Sequence, residues 1–295
     1  MAPWYSAPSD FAAIPAPRAG RNICTGMNLI NGAAGEAISV RDRGFAYGDG
    51  VFRTFPVRGG KPVLWDRQYA KLAHDCRALK INCPSQQTLE RDIALLDTSD
   101  CVVKIIVTRG DSARGYAPPP EPAPARVLIA SPVPAYAADY SNKGVGVHLC
   151  RLRLAAQPVL AGIKHLNRLE NVLARAEWRD PDIAEGLLCD TGDNVIGGTM
   201  SNVFIAKDGT LRTPDLAGCG VAGVMRELVM ELAHAHNVPL QVAAISLDDL
   251  FAADEVFVVN SVIGLWPVIA LDRKNWKAGA LGAQTQRWIA DVQGA

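Results

Sequence analysis

The sequence predicts an α+β fold in two halves. Apolar runs of β type alternate along the chain with segments whose apolar residues recur at helical spacing. A stretch rich in proline and alanine, PVPAYAADYSNKG, separates an earlier set of these elements from a later one. The chain has 295 residues, 49% of them hydrophobic, which is enough for two modest cores. We therefore expect a binding or active site in the cleft between the halves.

The division gives four segments. Residues 1–26 are rich in Ala, Pro and Ser without a sustained period, and we predict a flexible extension there. A smaller N-terminal α/β domain is expected over 27–138, followed by an interdomain linker over 139–149. The larger C-terminal domain is expected over 150–295.

The first half is predicted to contain short strands, a hairpin and an amphipathic helix. MNLING (27–32) and EAISV (36–40) are typical of short strands on either side of a turn. FAYGDGVFRTFPVRGGKPVLW indicates a hairpin that turns at Gly59 and Gly60. CVVKIIVT and ARVLIASPV are two further strands, separated by a loop that contains three consecutive prolines. The helix after the hairpin carries one apolar stripe, formed by Tyr69, Leu72, Cys76 and Leu79.

The second half is predicted to begin with the strand VGVHLCRLRL. Strands GLLCD, SNVFIAK and EVFVVNS then alternate with a helix from about 224 to 236. Between VGVHLCRLRL and GLLCD we predict an amphipathic helix over 165–178, with an apolar stripe of Leu166, Leu169, Leu173 and Ala176.

Charge, hydropathy and cysteine usage exclude several classes of protein. Lysine and arginine total 30, as do aspartate and glutamate, so no electrostatic footprint for nucleic acid or an anionic membrane is present. No apolar run approaches the length of a membrane span. The seven cysteines are scattered without CxxC pairs, which argues against a disulfide framework or a zinc site and favours a reducing cytoplasm. The expected partner is a small molecule.

The segment GCGVAG at 218–223 matches the spacing of a dinucleotide-binding loop, but its context does not. Such a loop needs a strand directly before it and an acidic residue about 20 positions later. Here TPDLA, with Pro214, precedes the segment, and the region near 243 is apolar. The glycines lead into the helix predicted near Val224, whose free N–H groups and positive dipole end suit a phosphate. The alternative is that they only form a tight turn before the helix.

Lys164 precedes the helix that is predicted to begin near His165. A lysine in this position is usually a solvated residue at the start of a helix, where the dipole slightly disfavours a cation. The positive helix end and partial burial would also lower the pKa of its amine, as a Schiff-base lysine requires. Position alone leaves both interpretations open.

Two pairs of possible metal ligands have a simpler explanation. His234 and His236 lie near a helix end without a matching ligand cluster, so solvated or capping roles are favoured. Asp42 and Asp49 lack calcium-loop spacing and are typical of turns. We predict no metal site. Composition and spacing alone indicate a cytoplasmic enzyme that binds a phosphate-bearing ligand, with its reaction left open.

Six motifs carry a resemblance to known proteins. They are MNLING at 27–32, DRGFAYGDGVFRT at 42–54, KIIVTRGDSARGY at 104–116, GIKHLNRLENVLARAEW at 162–178, GGTMSNVFI at 197–205 and GVAGVMRE at 220–227. Together they resemble the fold-type IV pyridoxal-phosphate enzymes and, within them, the aminodeoxychorismate lyases. The resemblance runs from Met27 to the C-terminus and makes Met27 the expected native start. It implies the two-domain architecture of D-amino acid aminotransferases, with the cofactor in the larger C-terminal domain.

The resemblance implies pyridoxal 5'-phosphate as the cofactor and gives roles to particular residues. Lys164 matches the catalytic lysine that holds the cofactor covalently and moves protons. Arg109 and Arg114 are candidates for binding substrate carboxylates, because arginine binds such groups in a bidentate manner. Tyr116 and Asn260 are expected to bind substrate as well. The expected cofactor-binding residues are Lys71, Gly197, Ser201, Asn202, Gly223, Val224, Met225 and Ser261.

Two positions depart from the pattern of the family. Similar enzymes have a glutamate that pairs with the protonated pyridine nitrogen, where this chain has Gly197. They also carry a His-x-x-Arg-Leu pattern whose arginine binds phosphate, and here Gln68, Lys71 and Leu72 occupy it. We expect Lys71 to hold the phosphate as a point charge. We expect the ring nitrogen to lack a carboxylate partner unless Asp193 reaches it.

The resemblance implies a cytoplasmic, homodimeric carbon–oxygen lyase of folate biosynthesis. It would eliminate pyruvate from 4-amino-4-deoxychorismate and release 4-aminobenzoate. One alternative is a branched-chain or D-amino acid aminotransferase of the same fold, against which the lyase-like segment RGDSARGY argues. The other is a weakly active or non-catalytic homologue, for which Gly197 is the chief support.

Overall fold

The first half of the chain folds into a six-stranded antiparallel sheet. The structure is a computed structural model that describes residues 27–96, 99–137, 139–272 and 274–294. The predicted extension at 1–26 lies outside the described residues. The strands are β1 (Leu29–Ile30), β2 (Ala33–Ala34), β3 (Gly50–Arg58), β4 (Lys61–Pro62), β5 (Cys101–Thr108) and β6 (Arg126–Ser131). Their order across the sheet is β2-β1-β6-β5-β3-β4.

The helices of this half are α1 (Arg43–Tyr47), α2 (Trp65–Ala78) and α3 (Gln86–Leu95). Alternation along β3 places Val51, Phe55 and Val57 in the same core as the apolar stripe of α2. The predicted stripe of α2 is confirmed, since Leu72 and Cys76 are buried in this core. Arg53 shares the buried side of β3, which puts a cation among apolar side chains.

The second half forms a larger mixed sheet. Its strands are β7 (Val145–Leu154), β8 (Ile183–Asp190), β9 (Val195–Gly198), β10 (Asn202–Lys207), β11 (Thr210–Pro214), β12 (Leu240–Ala243), β13 (Glu255–Asn260), β14 (Gly264–Leu271) and β15 (Lys274–Asn275). The order is β12-β11-β10-β13-β14-β7-β8-β9, and β15 pairs with β14. Strand β7 lies between β14 and β8 and is parallel to both.

Helices cover both faces of the central strands of this sheet. They are α4 (Asp139–Lys143), α5 (Leu169–Arg175), α6 (Val224–Ala235), α7 (Leu247–Ala252) and α8 (Ala280–Gln293). Alternate residues of β10 and β13 belong to two separate cores, one packed with α6 and α8 and the other with α7. Burial on both faces explains why SNVFIAK and EVFVVNS contain almost uninterrupted apolar runs.

Several predicted elements are confirmed. The runs CVVKIIVT and VGVHLCRLRL coincide with β5 and β7. The hairpin between β3 and β4 turns at Gly59 and Gly60, which have φ of 54° and 75°, values that favour glycine. The α+β class is confirmed. Nine residues separate β11 from α6, so GCGVAG does not directly follow a strand as a dinucleotide-binding loop would.

Two predicted elements are wrong. EAISV (36–40) forms no strand, and β2 lies instead directly after the turn at Asn31 and Gly32. The helix expected over 165–178 is only the two turns of α5, which begins at Leu169. Its first part cannot be helical, because the backbone of the Lys164 segment pairs with β3. Tertiary pairing therefore overrides the helical spacing.

The first sheet ends with β6 at Ser131, and the second begins with β7 at Val145. The segment 139–149, expected to be a linker, consists of α4, one intervening residue and the first half of β7. Since β7 is a central strand, this segment belongs structurally to the second sheet. The division into two domains stays a prediction. Among the residues that the structure describes, no helix is long and apolar enough to cross a membrane.

Candidate active site

A cavity of about 690 Å³ lies where the two sheets meet. Its wall contains Phe52 and Thr54 of β3 and Gln68 of α2, which belong to the first half of the chain. The second half contributes the ends of β7 and β9, the start of α6 and the turn after β13. Lys164 lies in this wall, so the cavity is at the expected cleft between the halves.

Backbone hydrogen bonds fix Lys164 at the junction of the two halves. Phe52 N donates to Lys164 O (3.0 Å), and Leu166 N donates to Gly50 O (2.9 Å). Just before the lysine, Gly162 N donates to Gly220 O, and Gly162 O accepts from Ala222 N, both at 3.0 Å. Lys164 is thus held between β3 and the loop that leads into α6.

Burial and neighbouring cations lower the pKa of Lys164. Its Nζ lies 4.4 Å from the centre of the Phe52 ring. Desolvation is the largest cause and, with the positive charges of Arg53, Arg168 and Lys104, lowers the pKa from 10.5 to about 7, whereas Asp75 opposes the change. A lowered pKa was expected, but its cause is not a helix end, because α5 begins five residues later. A large fraction of the lysine is therefore neutral near pH 7.

The start of α6 forms one end of the cavity. Gly223 is the N-cap, and no side chain caps the N–H groups that follow it, at Val224 and Met225. Gly223 N donates to Asn202 Oδ1 (3.1 Å), and a Cβ at this position would lie only 2.4 Å from the same oxygen. Ser261 also lines this cavity and accepts a hydrogen bond from Gln68 Nε2 (2.9 Å). These groups fit the expected phosphate end of the cofactor.

The structure does not place Lys71 in the cavity wall. Its ammonium group pairs with the carboxylate of Glu227, in the first turn of α6. The predicted role of Lys71 in holding phosphate therefore lacks structural support, because α2 packs against α6 and turns this side chain towards another partner. Backbone N–H groups, Gln68 and Ser261 remain at that end of the cavity.

Gly197, Ser201 and Asn260 lie in the cavity wall, as predicted. Asn260 Nδ2 donates to Met200 O (3.1 Å), which ties the end of β13 to the turn before β10. The buried carboxylate of Glu185 accepts from the backbone of Thr199 and from the Ser201 hydroxyl, which fixes the same turn. These bonds hold the turn beside Gly197 in one conformation.

The cavity offers few carboxylates to a cationic ring nitrogen. Asp193 is largely exposed and accepts from Arg153 Nε at 2.8 Å, and it does not line the cavity. Of the described residues that do, Glu170 is the one carboxylate, and it accepts from Ala155 N. A side chain at Gly197 would place its Cβ 3.0 Å from Ser201 O, a tight contact with backbone.

The three predicted substrate residues of the TRGDSARGY segment lie outside this cavity. Arg109 donates to both carboxylate oxygens of Asp49 and to the carbonyls of Leu79 and Lys80, so its role is structural. The predicted binding of substrate by Arg109 is not supported, because its guanidinium is already engaged. Arg114 and Tyr116 are exposed, with Tyr116 at 85%.

The other polar residues considered as metal ligands make different contacts in the structure. Asp42 caps α1, and Asp49 pairs with Arg43 and Arg109. His236 stacks on Trp288 with ring centres 4.1 Å apart. Among the described residues, no group of three or more His, Cys, Asp and Glu side chains is placed to bind a metal.

Sequence reasoning missed the charged residues around Lys164. Arg53 and Asp75 form a buried ion pair beside it, and Arg168 lines the cavity with a pKa lowered to about 10 by desolvation. The pattern of β3 contained a signal, because a charged residue at a core position needs a buried partner. Asp75 follows Gln68 by seven residues and so lies on the same face of α2.

The fold and the lysine site belong to a known class of enzymes. Residues 50–271 match the Amino-transferase class IV family, and the chain belongs to this family. The family uses pyridoxal 5'-phosphate. Lys164, the start of α6 and the cavity between them fit that cofactor.

Within the family, the chain is similar to aminodeoxychorismate lyases. The aminodeoxychorismate lyase of Vibrio harveyi is 36% identical over 245 residues, which are 82% of this chain and 90% of the relative. The crystal structure of 4-amino-4-deoxychorismate lyase from Pseudomonas aeruginosa has 49% identity and a TM-score of 0.87, covering 90% of this chain and 98% of that one. A D-alanine aminotransferase of Staphylococcus aureus is 28% identical over 85% of this chain and 89% of its own length. The predicted family is confirmed.

We expect the cofactor to be attached to Lys164. Borohydride reduction of the loaded protein, followed by peptide mapping, should place the pyridoxyl label on this residue, because its lowered pKa leaves a neutral amine in the cavity. Lys104, whose pKa burial also lowers, is the internal control and should remain unlabelled. A label on another lysine, with Lys164 unmodified, would contradict the assignment.

We expect the start of α6, rather than Lys71, to determine cofactor affinity. Gly223→Ala should raise the Kd about tenfold or more, equivalent to ~1.4 kcal/mol, because the new methyl group would displace Asn202 or the helix start. Lys71→Ala should have a smaller effect, since Lys71 pairs with Glu227. Titration of cofactor into the apo-proteins measures both values. An equal or larger loss in Lys71→Ala would restore Lys71 as the phosphate ligand.

Proposed function

We propose that this chain eliminates pyruvate from 4-amino-4-deoxychorismate and releases 4-aminobenzoate, as a lyase of folate biosynthesis. The observation that carries the proposal is the amine of Lys164, which has a pKa of about 7 and faces a cavity large enough for cofactor and substrate. The similarity to the Pseudomonas aeruginosa lyase along 90% of the chain supports the choice of reaction. Aminodeoxychorismate lyases are classed with the carbon–carbon lyases, so the class expected from the sequence, a carbon–oxygen lyase, is corrected. The expected name describes the ether bond that breaks and not the class of the enzyme.

Some residues of the cavity would hold the cofactor and the substrate, and Lys164 would transfer protons. Bound pyridoxal 5'-phosphate supplies an electron sink for charge that develops at the amine-bearing carbon of the substrate. Lys164 would hold the cofactor, and its Nζ would be the base that removes the proton from that carbon. The same Nζ can return a proton to the departing enolpyruvyl group, because no other amine lines the cavity among the described residues. Aromatisation of the ring drives the elimination forward.

We propose that the chain works as a cytoplasmic homodimer. Helix α5 exposes Leu169, Val172 and Leu173, an apolar face that a second copy would cover. Arg114 and Tyr116 are exposed and lie outside their own cavity, so their proposed contact with substrate would be made in the cavity of that second copy. The thiols of Cys76, Cys83, Cys150, Cys189 and Cys219, which form no disulfide, support a reducing compartment.

The reaction itself tests the proposal. Purified protein incubated with 4-amino-4-deoxychorismate should release 4-aminobenzoate and pyruvate in equal amounts. A single turnover with D- or L-amino acids is the comparison, because an aminotransferase would convert the cofactor to its amine form. That conversion without 4-aminobenzoate would favour an aminotransferase. Inactivity in both assays would favour a non-catalytic homologue.

We expect a carboxylate at position 197 to increase the rate. The charge-assisted hydrogen bond that Gly197→Glu could make to a protonated ring nitrogen is worth about 1.5 to 3 kcal/mol, or roughly ten- to a hundredfold in kcat. Gly197→Ala is the control, because it introduces the same Cβ contact with Ser201 O at 3.0 Å without the carboxylate. A lower kcat in Gly197→Glu than in Gly197→Ala would contradict the idea. If the parent protein is inactive and Gly197→Glu fully restores its activity, the parent is a protein that has lost its catalysis.

A further inference from the structure

A buried ion pair contacts the backbone of Lys164. Arg53 on β3 and Asp75 on α2 are 3% and 0% exposed, and the guanidinium donates to Asp75 Oδ2. The same oxygen accepts from Lys164 N at 3.0 Å. One carboxylate oxygen therefore joins strand, helix and lysine.

The stability of the fold alone does not explain this buried ion pair. Its neighbours on the buried side of β3, Val51 and Phe55, are apolar, and a buried ion pair is often no better for stability than apolar residues of the same volume. Arg53 Nε has no hydrogen-bond partner among the described residues, although the side chain is buried. Arg53 also lines the cavity. The guanidinium donates to Asp75 and to the carbonyl of Lys71 (3.5 Å), and its Nε is left unsatisfied in the wall of the cavity.

We propose that Arg53 and Asp75 are positioning residues for Lys164. Asp75 fixes the backbone of the lysine, and Arg53 keeps the amine of the lysine uncharged. The inference rests on the proposed role of Lys164 in holding the cofactor, but it does not depend on the identity of the substrate. The two residues act on the lysine with opposite sign, because one is a cation and the other an anion.

Four segments around Lys164 contribute a charged group that shifts its pKa. Arg53 comes from β3, Lys104 from β5 and Arg168 from the segment before α5, and all three favour the neutral amine. Asp75 on α2 favours the ammonium form. Lys104 Nζ and Lys164 Nζ lie 4.7 Å and 4.4 Å from the centre of the same Phe52 ring. After desolvation, Arg53 is the largest cause of the low pKa of Lys164.

The signs of the expected changes follow from these charges. In Arg53→Met, Lys164 loses a repelling cation and faces an unneutralised Asp75, so its pKa should rise by about one to three. In Asp75→Asn, only cations remain around the amine, so its pKa should fall below that of the parent. The double variant Arg53→Met/Asp75→Asn should show a smaller rise than Arg53→Met, because Arg53 outweighs Asp75. Arg53→Lys keeps the positive charge and should restore a low pKa.

Competitive trace labelling of the cofactor-free protein with acetic anhydride, followed by peptide mass spectrometry, measures the pKa of Lys164 directly. Asp92→Asn breaks the Arg126–Asp92 pair elsewhere in the same half and is the control, for which we expect no change. If a single variant fails to fold, the double variant decides, since it leaves no unpaired buried charge. Opposite shifts in the two single variants, or the smaller rise in the double variant, support the proposal.

The proposed positioning role would be overturned if the pKa of Lys164 shifted in the same direction in both single variants. It would also be overturned if this pKa were unchanged in Arg53→Met and in the double variant. The assay separates this inference from the proposed function. Opposite shifts in a protein without lyase activity would leave the positioning role intact and overturn only the reaction.

Discussion

The backbone pairing of the Lys164 segment is the constraint on which the site depends. Gly50 and Phe52 hold this segment on one side, and the loop at 220–222 holds it on the other. The lysine therefore cannot move relative to β3 or to the start of α6 without breaking hydrogen bonds. A base and an anion site must keep a fixed separation to act on one bound cofactor. These bonds set that separation, because one set joins the lysine segment to β3 in the first half and the other joins it to the loop before α6 in the second half.

The anion end depends on one asparagine and one glycine. Asn202 Nδ2 donates to Val221 O (2.7 Å), and its Oδ1 accepts from Gly223 N (3.1 Å), so this amide holds both ends of the last turn before α6. Since Asn202 is the first residue of β10, the loop is fixed to the sheet. The close approach requires glycine at 223, which explains the choice of residue better than flexibility does. The N–H groups of α6 are thereby presented to the cavity.

Much of the fold could be predicted because apolar periodicity specifies it locally. Strands β5 and β7 and helix α6 agree with their sequence patterns within a residue. The structure of the segment 165–178 could not be predicted from periodicity. Its helical spacing competes with pairing to β3, a strand more than a hundred residues earlier. The motifs that resemble a family point to Lys164 and Gly223, and both line the cavity. Lys71 and Arg109 lie outside the cavity wall, and sequence reasoning could not foresee this, since their partners, Glu227 and Asp49, depend on the packing of distant elements.

The distribution of charge links the low pKa of Lys164 to the binding of anions. The whole chain has a formal net charge of zero. Among the residues that the structure describes, however, Arg53, Lys164 and Arg168 line the cavity against one carboxylate, Glu170. This local excess of positive charge favours the neutral lysine, which is the form that attacks an aldehyde. It also attracts a phosphate and a substrate that carries carboxylates. Each anion that binds would offset part of the repulsion on the lysine. Under the proposed function, the same cations would favour the neutral amine before the ligands bind, and the bound anions would then favour proton uptake at Nζ.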